Sequence, residues 1–128
     1  MTHQFPVRVY YEDTDLAGIV YYANYLKFIE RARSEWLRGI GVDQVAMKAE
    51  GVVFAVRRIE ADYLSPARFD DLLAVASRVH SMTPARVVMD QRVTRAGAAL
   101  FVARVTLVAI GAGGRPVRLP RALAAGLG

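Results

Sequence analysis

The chain has 128 residues, no cysteine and 54% hydrophobic content, which is typical of one domain with a continuous core. We therefore expect a single domain over residues 1–128. The lack of cysteine excludes a disulfide scaffold, a thiolate metal site and a cysteine nucleophile. The net charge of +5 favours anionic partners, but the arginines are dispersed singly, so we do not expect nucleic acid binding.

The N-terminal residues lack the apolar stretch of a signal peptide. The longest weakly charged run, residues 96–114, is interrupted by Arg104 and ends in glycines, so it does not resemble a membrane-spanning helix. We therefore expect a cytoplasmic protein without a membrane span.

The predicted elements begin with one strand and one long helix. Residues 5–11 alternate between apolar and more polar side chains, the period of a half-buried strand. From Asn24 to Arg38 the apolar residues recur at helical spacing, and Gly39 and Gly41 provide a stop signal. These patterns predict a strand followed by one amphipathic helix.

After a connecting stretch over residues 42–51, alternation predicts four strands at residues 52–64, 72–82, 85–95 and 100–110. A short extension over residues 116–120 follows a glycine-rich turn. This order indicates an α+β fold with the helix segregated from an antiparallel sheet. Because one helix leaves part of the sheet uncovered, we expect at least a dimer.

Several kinds of active site are disfavoured by the residue inventory. No Gly-x-Ser-x-Gly elbow is present, and His3 and His80 are the only histidines. Their spacing fits none of the usual zinc sites, so we expect no metal. His80 is interpreted as a structural histidine, and the glycines at residues 111–114 as a hairpin turn.

The most unusual feature is a cluster of carboxylates at Glu12, Asp13 and Asp15. Repulsion between like charges raises carboxyl pKa values and suits a general base or nucleophile, but acidic residues before a helix also cap its amides. The apolar and aromatic residues 16–25 resemble a pocket wall, and the helix start offers free N–H groups to an oxyanion. We expect Gly18 to let the backbone approach a ligand closely. The cluster alone does not distinguish Asp13 from Asp15.

Residues 9–35, from Val9-Tyr10-Tyr11-Glu12-Asp13-Thr14-Asp15 through to Ser34-Glu35, resemble the signature of hotdog-fold acyl-CoA thioesterases of the 4-hydroxybenzoyl-CoA thioesterase group. Residues 62–73 resemble a second block, that of the bacterial Tol-Pal-associated branch. The resemblance implies a hotdog fold, in which a curved antiparallel sheet wraps one long central helix. It also implies an enzyme that hydrolyses an acyl-CoA thioester to the free acid and CoA.

The resemblance implies that Asp15 is the catalytic carboxylate and that Asp13 shapes the turn. It further implies that the backbone amide of Tyr22 polarises the thioester carbonyl and that Gly18 helps to set this geometry. The Tol-Pal-associated branch usually has histidine at the position of Tyr22, whereas the hydroxybenzoyl branch has tyrosine.

By the same resemblance, the substrate is bound by Tyr21, Asn24, Tyr25, Arg86, Arg115 and Arg118. The arginines would contact the nucleotide part of CoA, and no cofactor is expected beyond the CoA of the substrate. The usual assembly is a homodimer or homotetramer with the site at a subunit interface.

Two other functions compete with thioester hydrolysis. A hotdog hydratase would need a histidine with an acidic partner near the helix, and neither histidine of this chain is placed there. A non-catalytic module that binds acyl-CoA or acyl-carrier protein, associated with the cell-envelope machinery, is the alternative from a different class.

Overall fold

The computed structural model describes residues 2–127, so the first and last residues of the expected domain lie outside the described part. Six strands form one sheet: β1 (His3–Arg8), β2 (Val53–Tyr63), β3 (Leu72–Thr83), β4 (Arg86–Arg95), β5 (Ala98–Ile110) and β6 (Pro116–Val117). The helices are α1 (Asn24–Gly39), α2 (Gln44–Ala49) and α3 (Arg121–Leu127). No helix in this part of the chain is long and apolar enough to cross a membrane.

The sheet is antiparallel in the order β1-β3-β4-β5-β2, with β6 paired to the end of β5. Register shifts interrupt the β2–β5, β3–β4 and β4–β5 ladders, and such bulges bend and twist a sheet. The sheet packs its inner face against α1. The α+β class and the order of one strand, one long helix and a run of strands are therefore confirmed.

Helix α1 forms because its apolar residues fall on one stripe. Phe28, Ile29 and Ala32 in this stripe are fully buried, while Lys27 and Glu30 are exposed. Burying a side chain such as Phe28 contributes roughly 1.5–3 kcal/mol. The stripe therefore fixes α1 on the inner face of the sheet.

A buried polar network also holds α1 against the sheet. Arg33 Nη1 donates to Gln91 Oε1 at 2.9 Å, and Gln91 Nε2 donates to the Ile29 carbonyl and to Ser77 Oγ, each at 2.9 Å. Burial lowers the pKa of Arg33 from its ordinary value. Gln91 thus supplies a neutral acceptor for a buried cation, joining α1 to β4 and β3.

Apart from shifts of one or two residues at other strand ends, the structure departs from the sequence prediction at three places. Strand β1 ends at Arg8, because residues 11–13 turn into a short 3-10 helix. The connecting stretch contains α2, whose first turn is capped by the Asp43 carboxylate accepting the Ala46 N–H at 3.0 Å. Helix α3 follows the Pro116–Pro120 extension and was not predicted.

The Asp71 carboxylate stabilises the loop between β2 and β3 through hydrogen bonds. Asp71 Oδ2 accepts the Arg68 N–H at 2.9 Å and Arg95 Nη1 at 2.7 Å. Arg95 Nη1 also donates to the Pro66 carbonyl at 3.3 Å. The Arg68 N–H, with help from Arg95, holds the pKa of Asp71 below its ordinary value.

The Gln91 network gives a first prediction. Replacing Gln91 with Leu leaves the buried Arg33 guanidinium without its acceptor, so the free energy of unfolding should fall by about 2–3 kcal/mol. Urea unfolding followed by circular dichroism measures this. The double variant Arg33→Met, Gln91→Leu should recover part of the loss, because no buried charge remains unpaired. If Gln91→Leu alone is as stable as the parent protein, the prediction is contradicted.

The second prediction concerns pH. Because the pKa of Asp71 is lowered in the folded chain, its stabilisation is complete above the pKa of the unfolded chain and is lost as the pH falls through the folded value. Asp71→Asn should therefore cost about 1 kcal/mol near neutral pH, and the difference from the parent should shrink in strong acid. Thermal unfolding across the pH range tests this, and a deficit that grows in acid would contradict it.

Candidate active site

A groove of about 350 Å³ lies where the turn after β1, the start of α1 and the end of β2 meet. The turn contributes Asp15, Ile19 and Val20, and the entry to α1 contributes Tyr22 and Tyr25. The remaining lining comes from the end of β2 and the following loop: Tyr63, Leu64, Ser65 and Pro66. A single carboxylate therefore faces a mostly apolar groove.

Asp13 is buried beside this groove and is fully engaged in shaping the turn. Its Oδ2 accepts the Tyr10 N–H at 2.8 Å, and its Oδ1 accepts from Asn24 Nδ2 at 2.9 Å. The Asp13 carbonyl accepts the Tyr21 N–H at 2.8 Å. Both carboxylate oxygens are thus used to join the end of β1 to the start of α1.

Asp15 differs from Asp13 in both exposure and bonding. Its side chain is exposed, and Oδ1 accepts the Ala17 N–H at 3.0 Å. Within residues 2–127, Oδ2 has no hydrogen-bond partner. The backbone of Asp15 is fixed by Ile19 and Gly18 through bonds of 3.0 and 2.9 Å. The turn therefore holds a carboxylate with one free oxygen at the groove.

Gly18 is required for the conformation of this turn. Its φ of +80° lies in the left-handed region, and a Cβ built there would meet no atom within 4 Å. A side chain would therefore be strained by the backbone angle alone. The backbone angle is by itself a sufficient reason for glycine here, and the close approach of the backbone to a ligand stays a prediction.

The entry to α1 presents backbone amides without partners. The Asn24 N–H donates to the Tyr21 carbonyl at 2.8 Å, but the N–H groups of Tyr22 and Ala23 have no acceptor within the described chain. The first amides of a helix carry partial positive charge. Tyr22 precedes Ala23, the N-cap of α1, so its amide is not one of these helix amides. It is an unpartnered N–H on a residue that lines the groove, and such a donor is available to an oxyanion.

Three other residues expected to bind substrate occupy different positions. Tyr25 forms the floor, with its ring stacked on Phe101 at 4.9 Å between centroids and its hydroxyl accepting the Ala67 N–H at 3.1 Å; burial raises its pKa. Asn24 is buried behind the groove and holds Asp13. Tyr21 is exposed and lies edge-on to Tyr22, 4.9 Å between centroids.

The predicted nucleotide-binding arginines lie at the opposite end of the sheet. Tyr63 pairs with Phe101, whereas Arg86 pairs with Val108 on the same strand β5. Seven residues of strand correspond to about 24 Å. Arg115 and Arg118 follow β5 near Arg86. One protomer therefore does not bring these arginines to its own groove.

Tyr63 was not singled out by sequence reasoning. It belongs to the second family-like block, yet only the structure shows that its hydroxyl donates to the Tyr22 carbonyl at 2.9 Å. An aromatic residue at the end of a strand, just before Leu-Ser-Pro, is the signal that could have drawn notice.

The predicted structural histidine, His80, is half-exposed, with Nδ1 3.6 Å from Asp90 Oδ2. It lies on β3 and does not line the groove. Among residues 2–127, no group of three or more histidine and acidic side chains is arranged to hold a metal ion.

Known proteins of one family resemble this chain in sequence. The model of the thioesterase-like superfamily matches residues 9–127. An acyl-CoA thioester hydrolase of Escherichia coli, YbgC, is 47% identical over 93 residues, which are 73% of this chain and 69% of that protein. The acyl-CoA thioesterase YbgC of Haemophilus influenzae is 40% identical over 119 residues, which are 91% and 88% of the two chains.

The structural comparison agrees. The crystal structure of a probable thioesterase from Bartonella henselae has a TM-score of 0.89 and 38% identity, covering 94% of this chain and 100% of that one. These similarities confirm the predicted hotdog fold and the prediction of a thioesterase. The chain belongs to the thioesterase-like superfamily.

Proposed function

We propose that this thioesterase hydrolyses acyl-CoA thioesters, with Asp15 as nucleophile or general base and the Tyr22 backbone amide polarising the carbonyl oxygen. The observation that carries the proposal is the contrast between the two aspartates. Both carboxylate oxygens of Asp13 accept hydrogen bonds that shape the turn. Asp15, in contrast, has Oδ2 free at the groove. The acyl-CoA substrate is supported by relatives named acyl-CoA thioester hydrolase.

Two routes use the same geometry. In the nucleophilic route, Asp15 Oδ2 attacks the thioester carbon, the C–S bond breaks, and CoA leaves as a thiolate that water protonates. Water then hydrolyses the mixed anhydride and restores Asp15. In the general-base route, Asp15 takes a proton from the attacking water, and the departing thiolate receives that proton. In both routes the Tyr22 N–H stabilises negative charge on the carbonyl oxygen.

The substitution Asp15→Asn gives the third prediction. Its amide oxygen can still accept the Ala17 N–H, so the turn should persist while kcat/KM falls at least ~100-fold. A thiol-release assay over short, branched, long-chain and aromatic acyl-CoAs measures this without background, because the chain has no cysteine.

Two variants serve as controls. Glu12→Gln removes an exposed carboxylate from the same turn and should leave turnover within about twofold. Asp13→Asn should lower the melting temperature, because one amide oxygen cannot accept both the Tyr10 N–H and the Asn24 amide. Turnover that persists in Asp15→Asn refutes its role, and acyl-CoA binding without turnover by the parent would favour the alternative binding module.

The proposed assembly is a homodimer or homotetramer with the site at a subunit interface. Edge strand β2 supports this, because Val56, Ile59 and Tyr63 are between 39% and 50% exposed on a strand that pairs only with β5. Exposed apolar edges are normally covered. A second copy would also allow its Arg86, Arg115 or Arg118 to reach the CoA phosphates at this protomer's groove.

Assembly gives the fourth prediction. Light scattering at micromolar concentration should give a mass at least twice the 14.1 kDa of one chain. Ile59→Lys places a charge on the exposed edge and should shift the population toward monomer, whereas Ala85→Lys in the exposed β3–β4 turn should not. A monomeric parent protein would contradict the proposed interface.

The association with cell-envelope machinery, an acyl-carrier-protein ligand and a cytoplasmic location stay predictions. So does the single-domain organisation over residues 1–128.

A further inference from the structure

We propose that Tyr63 is a positioning residue for the reaction, because its hydroxyl fixes the peptide that follows the oxyanion-binding amide. This inference rests on the function proposed above and adds a residue to it. Tyr63 ends strand β2, 41 positions from Tyr22 in the chain. The contact therefore links the edge strand directly to the entry of α1.

Tyr22 has two flanking peptides, and each is anchored by a hydrogen bond to its carbonyl. The Tyr21 carbonyl accepts the Asn24 N–H at 2.8 Å, which fixes the peptide containing the Tyr22 amide. The Tyr22 carbonyl accepts the Tyr63 hydroxyl at 2.9 Å, which fixes the next peptide. With both anchors in place, the φ and ψ angles of Tyr22 are constrained, and so is the direction of its free N–H.

The second anchor has no substitute from the helix backbone. The Leu26 N–H, which could serve the Tyr22 carbonyl in a regular helix, donates to the Ala23 carbonyl at 3.1 Å instead. Within the part of the chain that the structure describes, Tyr63 is thus the sole partner of the Tyr22 carbonyl. Its loss would let the Tyr22–Ala23 peptide rotate.

The Tyr63 hydroxyl remains a hydrogen-bond donor over a wide pH range. Partial burial, together with the neighbouring Tyr22 and Tyr25, raises the pKa of its hydroxyl. The phenol therefore keeps its proton at neutral and mildly alkaline pH. No proton leaves Tyr63 in the reaction, so its role is to hold geometry.

The ring and the hydroxyl of Tyr63 have separable tasks. The ring packs edge-on against Phe101 at 4.9 Å and Tyr25 at 5.6 Å between centroids. Phenylalanine at this position would retain these contacts and remove only the hydrogen bond. Tyr63→Phe is therefore a nearly isosteric test of the anchor.

The final experiment compares the parent, Tyr63→Phe and Tyr11→Phe in the thiol-release assay, using the acyl-CoA that the parent turns over fastest. Tyr11 is 82% exposed and its hydroxyl makes no hydrogen bond within the described residues, so its variant controls for the loss of a surface phenol. We expect kcat of Tyr63→Phe to fall about five- to tenfold. KM and the Kd of a non-hydrolysable acyl-CoA thioether should stay within about twofold, because the donor matters most when the carbonyl oxygen gains charge.

The outcomes separate this inference from the proposed function. A fall in kcat with unchanged Kd and unchanged melting temperature supports a positioning role. Unchanged kcat overturns it, as does an equal loss of kcat and thioether affinity, which would indicate a general defect of the groove. If Asp15→Asn retains full turnover, the proposed function fails whatever Tyr63→Phe shows. If Asp15→Asn is inactive and Tyr63→Phe matches the parent, only the role of Tyr63 fails.

Discussion

The end of the molecule that carries the groove depends on the buried carboxylate of Asp13. Its two oxygens and its carbonyl bind the Tyr10 N–H, the Asn24 side chain and the Tyr21 N–H. A buried charge is costly unless it is fully hydrogen-bonded, and here every bond connects a different segment. The end of β1, the turn and the start of α1 are therefore positioned as one unit. Asp13 thus helps to place the exposed Asp15 at the groove, although Asp13 does not line the groove itself.

The sheet contributes in two different ways. Its centre, β3 to β5, is covered on one face by α1, and Gln91 joins α1 to β4 and β3. Its edge, β2, is exposed along its length but ends in Tyr63 and leads into the loop that lines the groove. Loop residue Ala67 accepts the Val20 N–H at 2.8 Å and donates to Tyr25. The groove thus lies at the edge of the sheet, beside the end of β2, and not over its centre.

The local sequence pattern was sufficient to predict helix α1 and strands β3 to β5. In these elements apolar inner residues and more polar outer residues recur at the helical or strand period. The local pattern failed where a single side-chain hydrogen bond decides the path of the chain. Strand β1 ends at Arg8 although alternation continues to Tyr11, because Asp13 turns the chain. The two aspartates have the same local signal, so only the family resemblance favoured Asp15. The bond from Tyr63 to Tyr22 joins residues far apart and has no local signature.

The turn that carries Asp15 is held mainly by backbone atoms, through Ile19, Gly18 and Ala67. Its outward side chains are scarcely restrained, and Leu16 is completely exposed. Because the bonds that fix this turn use backbone atoms, substitutions at the outward positions leave the placement of Asp15 unchanged.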